Sequence, residues 1–235
     1  IKQDNIKPMH IIILAAGMGT RLNKNNPKSL VKLSNGDSIL NRQINALLDY
    51  VNINDITIVV GYKQHKIKEK YPKCSYVYNE NYQNTNTAKS LLLALESKED
   101  NKDVIWINGD VVFEFEVLKE IFVTSNSSML VNTLKVGAEE VKYTINNDGS
   151  INKVSKNINN GLGEAVGINK ILNSQLDEFK KELERCSSSD YFERGLEMLI
   201  NKGTKIYPID ISKYFCCEID TQDDLNFVNR FLKSE

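Results

Sequence analysis

The first half of the chain alternates short apolar runs with segments of helical periodicity, and this alternation constrains the fold more than any other feature. The pattern predicts buried strands at residues 11–15 and 56–61 and a helix at 39–51 between them. It continues with a polar helix at 63–70, a strand at 75–78, a helix at 87–95 and a strand at 104–108. Strands alternating with helices predict an α/β fold with a mostly parallel sheet and helices on both faces. Ligands of such sheets bind beyond the carboxyl ends of the strands.

The pattern changes after about residue 126. Strand-like segments are predicted at 129–136, 143–145, 151–154, 163–168, 204–209 and 215–219, and helices at 172–186 and 191–201. Asn147-Asp148-Gly149 predicts a hairpin turn, and Thr221 with Asp224 three residues later predicts the start of a last helix. We expect a single domain over 9–235 that consists of two parts, 9–125 and 126–235, with an N-terminal extension at 1–8.

Composition excludes several classes of function. The 235 residues are 41% hydrophobic and carry a formal charge of −1, so a globular core is expected and a broad basic surface for nucleic acid is not. No apolar run is long enough to span a bilayer, and residues 1–8 lack the pattern of a signal peptide. The four cysteines show no C-x-x-C spacing, which favours reduced structural thiols. These features predict a cytoplasmic protein without membrane insertion.

The stretch after the first strand, LAAGMGTRLNKNNPKSL, is typical of a phosphate-binding loop. Gly17 and Gly19 permit a sharp turn with free backbone N–H groups. A dinucleotide fingerprint would need a third glycine where Leu22 stands, and the spacing of a P-loop is absent. Arg21 and Lys28 could contact phosphates and neutralise charge at a phosphorus under attack. The alternative is an ordinary strand-to-helix turn with two solvated cations.

Two aspartates follow predicted strands far apart in sequence, Asp110 and Asp220. Carboxylates at strand ends suit Mg²⁺ that also contacts substrate phosphates. Asp220 could instead simply precede the cap of the last helix.

These residues carry a family resemblance. L-A-A-G-x-G-T-R-L followed by P-K-S-L resembles the signature of the sugar-nucleotidyltransferase superfamily. Asn81-Tyr82 through Ser90-Leu91, Gly109-Asp110 and Glu218-Ile219-Asp220-Thr221 are similar to the phosphocholine cytidylyltransferases and their aminoalkylphosphonate relatives. The resemblance implies a Rossmann-like nucleotidyltransferase domain of the GT-A kind. Its mixed, mostly parallel sheet would be flanked by helices and joined to a small β-rich acceptor-binding lobe. The part at 9–125 would bind the nucleotide, and the part at 126–235 would bind the acceptor and supply the second metal ligand.

The resemblance also implies roles for single residues. Asp110 and Asp220 would hold Mg²⁺, and Arg21, Lys28 and Asp110 would be catalytic. The implied nucleotide-binding set is Leu14, Ala15, Ala16, Gly17, Met18, Gly19, Thr20, Arg21, Asn86 and Ser90. For Asn86 a second role, as the cap of the helix at 87–95, remains open.

The acceptor side is less defined. The resemblance implies an acceptor pocket at Lys28, Glu164, Tyr191 and Glu193. Glu193 could instead belong to a solvated helix face with Asp190 and Glu197. Trp106, the single tryptophan, lies inside a predicted strand, where we expect a core role rather than part of an aromatic cage for choline.

The implied function is transfer of CMP from CTP to a small phosphorylated or phosphonate acceptor, such as aminoethylphosphonate, phosphocholine or a polyol phosphate, with release of pyrophosphate. Two alternatives remain: a sugar 1-phosphate nucleotidyltransferase that uses UTP or dTTP, and a nucleotide-binding regulatory module without catalysis. The sequence does not indicate an oligomeric state.

Overall fold

The central strand of the fold is apolar except at His10. In the computed structural model, which describes residues 7–19, 21–22, 25–97, 101–134, 137 and 140–234, strand β1 spans Met9–Ala15 and every residue in it is buried. Both faces of β1 are therefore covered, as expected for a strand in the middle of an α/β sheet.

Ten further strands and seven helices follow in the part of the chain that the structure describes. The strands are β2 Ile56–Val60, β3 Ser75–Tyr78, β4 Asp103–Asn108, β5 Val111–Phe113, β6 Ser128–Asn132, β7 Lys142–Ile145, β8 Ile151–Ser155, β9 Glu164–Ile171, β10 Tyr207–Asp210 and β11 Cys216–Glu218. The helices are α1 Ile39–Leu47, α2 Gln64–Lys70, α3 Thr87–Glu96, α4 Glu116–Val123, α5 Asn173–Arg185, α6 Phe192–Asn201 and α7 Gln222–Leu232. Two short 3₁₀ turns lie at Lys28–Leu30 and Ile53–Asp55.

The main sheet has the strand order β10-β6-β9-β4-β1-β2-β3. β1 pairs in parallel with β2 and β4, so that Ile11 lies opposite Ile56 on one side and Ile105 on the other. β9 runs antiparallel to both β4 and β6. The predicted α/β fold with a mixed, mostly parallel sheet flanked by helices is confirmed.

Alternate residues of β1 enter separate cores on the two faces of the sheet. Ile11 and Ile13 pack with apolar residues of α1, α2 and α4 on one face. Ile12 and Leu14 pack with those of α3, α5 and α6 on the other. The period-2 alternation of a strand explains this division.

Strands β6 to β10 of the second half extend the same sheet, whereas β11 pairs with β5 in a separate two-stranded ribbon. β9 lies beside β4, and β7 and β8 form a hairpin next to β9. The strand predicted at 129–136 ends at Asn132, and residues 135 and 136 lie outside the described part of the chain. Two elements were not predicted, β5 and α4, because they follow Asp110 closely and are too short to show a clear period.

Helix α7 begins as the sequence predicts. Thr221 is its N-cap, and a capping box joins the Thr221 side chain to the backbone of Asp224 and the Asp224 side chain to the backbone of Thr221. The helix packs on the β5–β11 ribbon through a third apolar cluster that contains Val112, Ile219 and Val228. The C-terminal helix therefore fixes the end of β11.

Trp106 lies fully in the core, stacked on Phe179 and edge-on to Phe192, each with ring centroids 5.5 Å apart. The expected core role of Trp106 is confirmed. The four cysteines are free thiols. Within the described ranges, no helix combines the length and the hydropathy needed to cross a bilayer.

Candidate functional site

A cleft with a volume of about 490 Å³ opens where β1 and β4 end. The residues that line it include many of those predicted from sequence. The loop after β1 contributes Leu14, Ala15, Gly17, Gly19 and Arg21, and the rest of the chain contributes Lys28, Asn86, Asp110, Tyr191, Glu193 and Asp220. The cleft therefore lies at the edge of the sheet where the α/β topology predicts a ligand site.

The loop after β1 holds its shape through Gly19. Gly19 has a φ of +57°, in the left-handed region, and a Cβ there would lie 2.6 Å from Cβ of Lys28. The backbone N–H of Leu22 donates to the carbonyl of Gly19, which closes a turn at Arg21. Because glycine tolerates both this conformation and the close contact, the loop folds back and brings Lys28 next to its own glycine turn.

Asp110 is placed by the turn that follows β4. The N–H of Gly109 donates to the carbonyl of Leu14 at 2.9 Å, and a Cβ on Gly109 would lie 2.7 Å from that same oxygen. From α1, the buried amide of Gln43 donates to the carbonyls of Asn108 and Val111 at 2.9 and 2.8 Å. Gln43 therefore holds both sides of the turn through hydrogen bonds, and nothing in the sequence pattern indicated this role.

Asp220 is placed by the cap of α7. Its backbone N–H donates to Oδ2 of Asp224 at 3.0 Å, and the N–H of Ile219 donates to the carbonyl of Asp110 at 3.0 Å. The sequence left open whether Asp220 lies in a site or simply precedes the helix cap. In the structure Thr221 caps the helix, and Asp220, the residue before it, lines the cleft.

A compact charge cluster forms where these elements meet. Nζ of Lys28 lies 2.6 Å from Oδ2 of Asp110 and also contacts Oδ1 of Asp220, and Nη2 of Arg21 lies 3.2 Å from that Asp220 oxygen. Burial disfavours the charged Lys28, but the two aspartates outweigh this effect and raise the pKa of Lys28 above its ordinary value. Lys28 is therefore a cation at neutral pH. Because Lys28 is paired in this way, it is not a solvated cation, as it would be in an ordinary strand-to-helix turn.

Three carboxylates could hold a metal ion here. One oxygen each of Asp110, Glu218 and Asp220 lie within 4.8 Å of one another. Oδ1 of Asp110 is buried without a hydrogen-bond partner, and an all-oxygen ligand set suits Mg²⁺. Repulsion from Asp110, together with burial, raises the pKa of Glu218 well above its ordinary value, although the side chain reaches the exposed rim. Glu218 was not predicted as a site residue, although it stands in the quoted Glu218-Ile219-Asp220-Thr221 stretch.

The opposite wall of the cleft carries Tyr191 and Glu193. Glu193 is only 8% exposed, so it does not belong to a solvated helix face. Its Oε2 has no hydrogen-bond partner, and burial raises the pKa of Glu193 to about 7. Lys156, which also lines the cleft, places Nζ 4.8 Å from the centre of the Tyr191 ring. Sequence reasoning missed Lys156 because an exposed lysine at the end of a strand gives no signal.

Several predicted contact residues lie away from the cleft lining. Oε2 of Glu164 accepts a hydrogen bond from the N–H of Gly137 at 3.0 Å, while its neighbour Ala165 lines the cleft. The Ser90 hydroxyl accepts from the amide of Asn79 in a buried position. The roles predicted for Glu164, Ser90, Ala16 and Met18 stay predictions, and Thr20 lies outside the described residues.

Asn86 caps helix α3, the second role considered for it, and it also lines the cleft. Its side-chain oxygen accepts from the N–H of Thr87 at 2.8 Å, which caps α3, and its backbone N–H donates to Ser188. The Thr87 hydroxyl in turn accepts from the N–H of Phe192 at 3.0 Å. Helix α3 is thereby joined to the start of α6, the helix that carries Glu193.

Two curated proteins illustrate what this chain is similar to in sequence. The chain is 28% identical over 233 residues to the bifunctional protein GlmU of Buchnera aphidicola subsp. Schizaphis graminum, which covers 95% of the chain and 47% of that relative. It is 33% identical over 122 residues to the 2-aminoethylphosphonate cytidylyltransferase of Lancefieldella rimae, which covers 49% of the chain and 48% of that relative. The aligned part thus spans about half the length of these two curated relatives.

A solved structure shows the same fold. CTP:phosphocholine cytidylyltransferase from Streptococcus pneumoniae matches with a TM-score of 0.75 over 97% of this chain and 100% of its own, at 20% sequence identity. The resemblance inferred from sequence motifs is confirmed at the level of family. Residues 11–133, more than half of the chain, match the family described as MobA-like NTP transferase domain. Since that match starts in β1, runs through the loop that carries Arg21 and Lys28, and ends beyond Asp110, the chain belongs to the family of MobA-like NTP transferase domains.

Proposed function

We propose that this chain is a Mg²⁺-dependent cytidylyltransferase that transfers CMP from CTP to a small phosphorylated or phosphonate acceptor and releases pyrophosphate. One observation carries the proposal: Arg21 and Lys28 of the loop after β1 meet Asp110 and Asp220 in one cleft. A module that only bound nucleotides would not need a partly buried lysine between two carboxylates.

In the proposed reaction, an oxygen of the acceptor phosphate or phosphonate attacks the α-phosphorus of CTP in line. A bond forms between that oxygen and the α-phosphorus, and the bond from the α-phosphorus to the oxygen that bridges to the β-phosphorus breaks. Pyrophosphate leaves with the electron pair. Arg21 would bind the triphosphate, and Lys28 would neutralise charge between the two phosphoryl groups, so catalysis would come from positioning and electrostatics.

The metal would be held by Asp110 and Asp220, with Glu218 as a third oxygen ligand. Bound there, Mg²⁺ would neutralise charge on the triphosphate. The unpartnered Oδ1 of Asp110 and the short distances among the carboxylates support this assignment.

The base would lie near the backbone of Leu14, Ala15 and Gly17 and near Asn86, all of which line the cleft. The acceptor would lie on the side of Tyr191 and Glu193. Support for CTP and for a phosphonate or phosphate acceptor comes from the relatives, among them a 2-aminoethylphosphonate cytidylyltransferase.

The test is pyrophosphate release with each of the four nucleoside triphosphates against aminoethylphosphonate, phosphocholine, a phosphorylated amino acid and a sugar 1-phosphate, with and without Mg²⁺. We expect release with CTP and an amine-bearing acceptor, and only with the metal. Release restricted to a sugar 1-phosphate with UTP or dTTP would identify a sugar nucleotidyltransferase instead. No release with any pair, together with nucleotide binding, would identify a non-catalytic module.

A further inference from the structure

We propose that Glu193 and Lys156 make the acceptor end of the cleft selective for a primary ammonium group over a trimethylated one. The inference rests on the proposed function, because it concerns the acceptor of that reaction. It narrows the acceptor class to phosphates or phosphonates that carry N–H donors.

Glu193 supplies the first part of the argument. It lines the cleft on the first turn of α6 and is 8% exposed, and its Oε2 has no hydrogen-bond partner. A buried carboxylate oxygen without a donor is costly, so a ligand that brings a donor is favoured. A primary ammonium brings three N–H donors, whereas a trimethylammonium brings none.

Tyr191 supplies the second part. A trimethylammonium is recognised through the faces of aromatic rings. The Tyr191 ring is the exposed aromatic surface of the described cleft lining, at 46% exposure, and Nζ of Lys156 already lies 4.8 Å from its centre. A trimethylammonium would have to displace this lysine from the ring in order to bind there, whereas a primary ammonium at Glu193 would not.

The remaining aromatic side chains close to this wall are committed to the core. Phe192 lines the cleft but is 1% exposed and packs edge-on against Trp106, which is itself fully buried. Among the described residues of the cleft lining, no second exposed ring faces Tyr191 to complete a cage. The carboxylate, rather than an aromatic surface, is therefore the recognition group.

Phosphoethanolamine and phosphocholine form a matched pair of probes, since they differ only in three methyl groups on nitrogen. Their dissociation constants would be measured by calorimetry on the full chain with Mg²⁺, in the presence and in the absence of a non-hydrolysable analogue of CTP. We expect phosphoethanolamine to bind about tenfold more tightly, the difference that one charge-assisted hydrogen bond can supply.

Glu193→Gln should weaken the binding of phosphoethanolamine about tenfold and the binding of phosphocholine much less. Lys156→Met should tighten phosphocholine several-fold and bring the two acceptors close together.

Lys153→Met is the control, because Lys153 is an exposed lysine on the same strand, β8, and is not part of the described cleft lining. It should leave both dissociation constants unchanged. Equal or tighter binding of phosphocholine by the wild-type chain would overturn the inference, as would no binding of either acceptor, or an unchanged ratio in both cleft variants.

Turnover separates this inference from the proposed function. If the two acceptors bind selectively but no nucleoside triphosphate yields pyrophosphate with either, the proposed function fails while the selectivity of the cleft stands. If pyrophosphate is released equally well with both acceptors, the proposed function stands and the inference fails.

Discussion

The catalytic hypothesis depends at the residue scale on a lysine that touches two carboxylates. Lys28 is 16% exposed, and Asp110 is 19% exposed. At this depth an ion pair is screened less than on the surface, and removing one member leaves an uncompensated charge. Single substitutions in this cluster should therefore change the charge balance at the point where a ligand would bind.

The first prediction concerns Asp110. Asp110→Asn keeps the shape of the side chain but removes the charge that would hold a metal and pair with Lys28, so we expect pyrophosphate release to fall by at least about 100-fold. Circular dichroism and thermal unfolding should show an intact fold. Asp49→Asn, at an exposed position after α1, is the matched control and should have wild-type rates. Near-normal turnover in Asp110→Asn would remove the metal assignment.

The second prediction concerns Lys28 itself. Its ammonium contacts the same two aspartates that would bind the metal, so a cation and Lys28 compete for them. Lys28→Met should bind Mn²⁺ about tenfold more tightly in the absence of nucleotide, measured by the loss of the free-ion signal in electron paramagnetic resonance, while turnover falls. The control is Lys102→Met, which breaks the 2.6 Å pair with Asp55 outside the cleft. Equal Mn²⁺ affinity in wild type and Lys28→Met would contradict the competition.

The loop after β1 is the structural element that assembles the cluster, and the third prediction belongs to it. Gly19→Ala places a methyl group 2.6 Å from Cβ of Lys28 in a left-handed conformation. Gly36→Ala imposes the same kind of backbone strain, at φ +87°, with nothing within 4 Å.

Both glycine variants should lose roughly 1 kcal/mol of stability from backbone strain. Only Gly19→Ala should also lose turnover, because the methyl group pushes Lys28 away from the aspartates. Denaturant unfolding and pyrophosphate release on both variants check this difference. Equal turnover in the two would mean that the loop tolerates displacement of Lys28.

The strands could be predicted from sequence better than the cleft. β1, β2 and β4 are mostly apolar, so their burial was expected from the hydrophobic pattern, and Gly17, Gly19 and Arg21 identify the loop after β1. The capping box of α7 was predicted from two residues because its hydrogen bonds are local.

The parts that could not be predicted depend on contacts between distant residues. Gln43 lies on a helix face and Lys156 at the end of a strand, and neither position is unusual in sequence. Their contacts, with the turn after β4 and with the Tyr191 ring, form only when distant parts of the chain pack together. Glu218 was overlooked because its proximity to Asp110 arises from the pairing of β11 with β5. Glu193 was assigned to the acceptor side, but its burial could not be read from a helix segment rich in charge.

The fourth prediction concerns the stability of the whole molecule. The pKa of Glu193 lies near 7, above its ordinary value of 4.5, because the side chain is buried. Between these two values the folded chain binds more protons than the unfolded chain, so the stability linked to Glu193 is fully present below about pH 4.5 and is lost as the pH rises through about 7. Lys156 is the charged neighbour that opposes part of this rise.

Glu193→Gln cannot titrate, so its stability relative to wild type should increase from pH 4.5 to pH 7 and then level off, by an amount on the order of 3 kcal/mol. Urea unfolding of both proteins across this range measures the difference. Glu178→Gln should show almost no change relative to wild type across this range, since Lys202 lowers the pKa of Glu178 and confines its effect on stability to more acidic pH. A difference that is flat with pH for Glu193→Gln would mean that the carboxylate is solvated in the folded chain.

The contact between Lys28 and Asp220 joins residues 192 positions apart in the sequence. Closing so long a loop is slow, since the entropy is lost before the contact forms, and a contact of this kind is expected late on the folding route. Interactions absent from the transition state slow unfolding without accelerating folding. A ligand bound across these charges would therefore lengthen the lifetime of the folded chain, while a newly made chain would reach that state no faster in its presence.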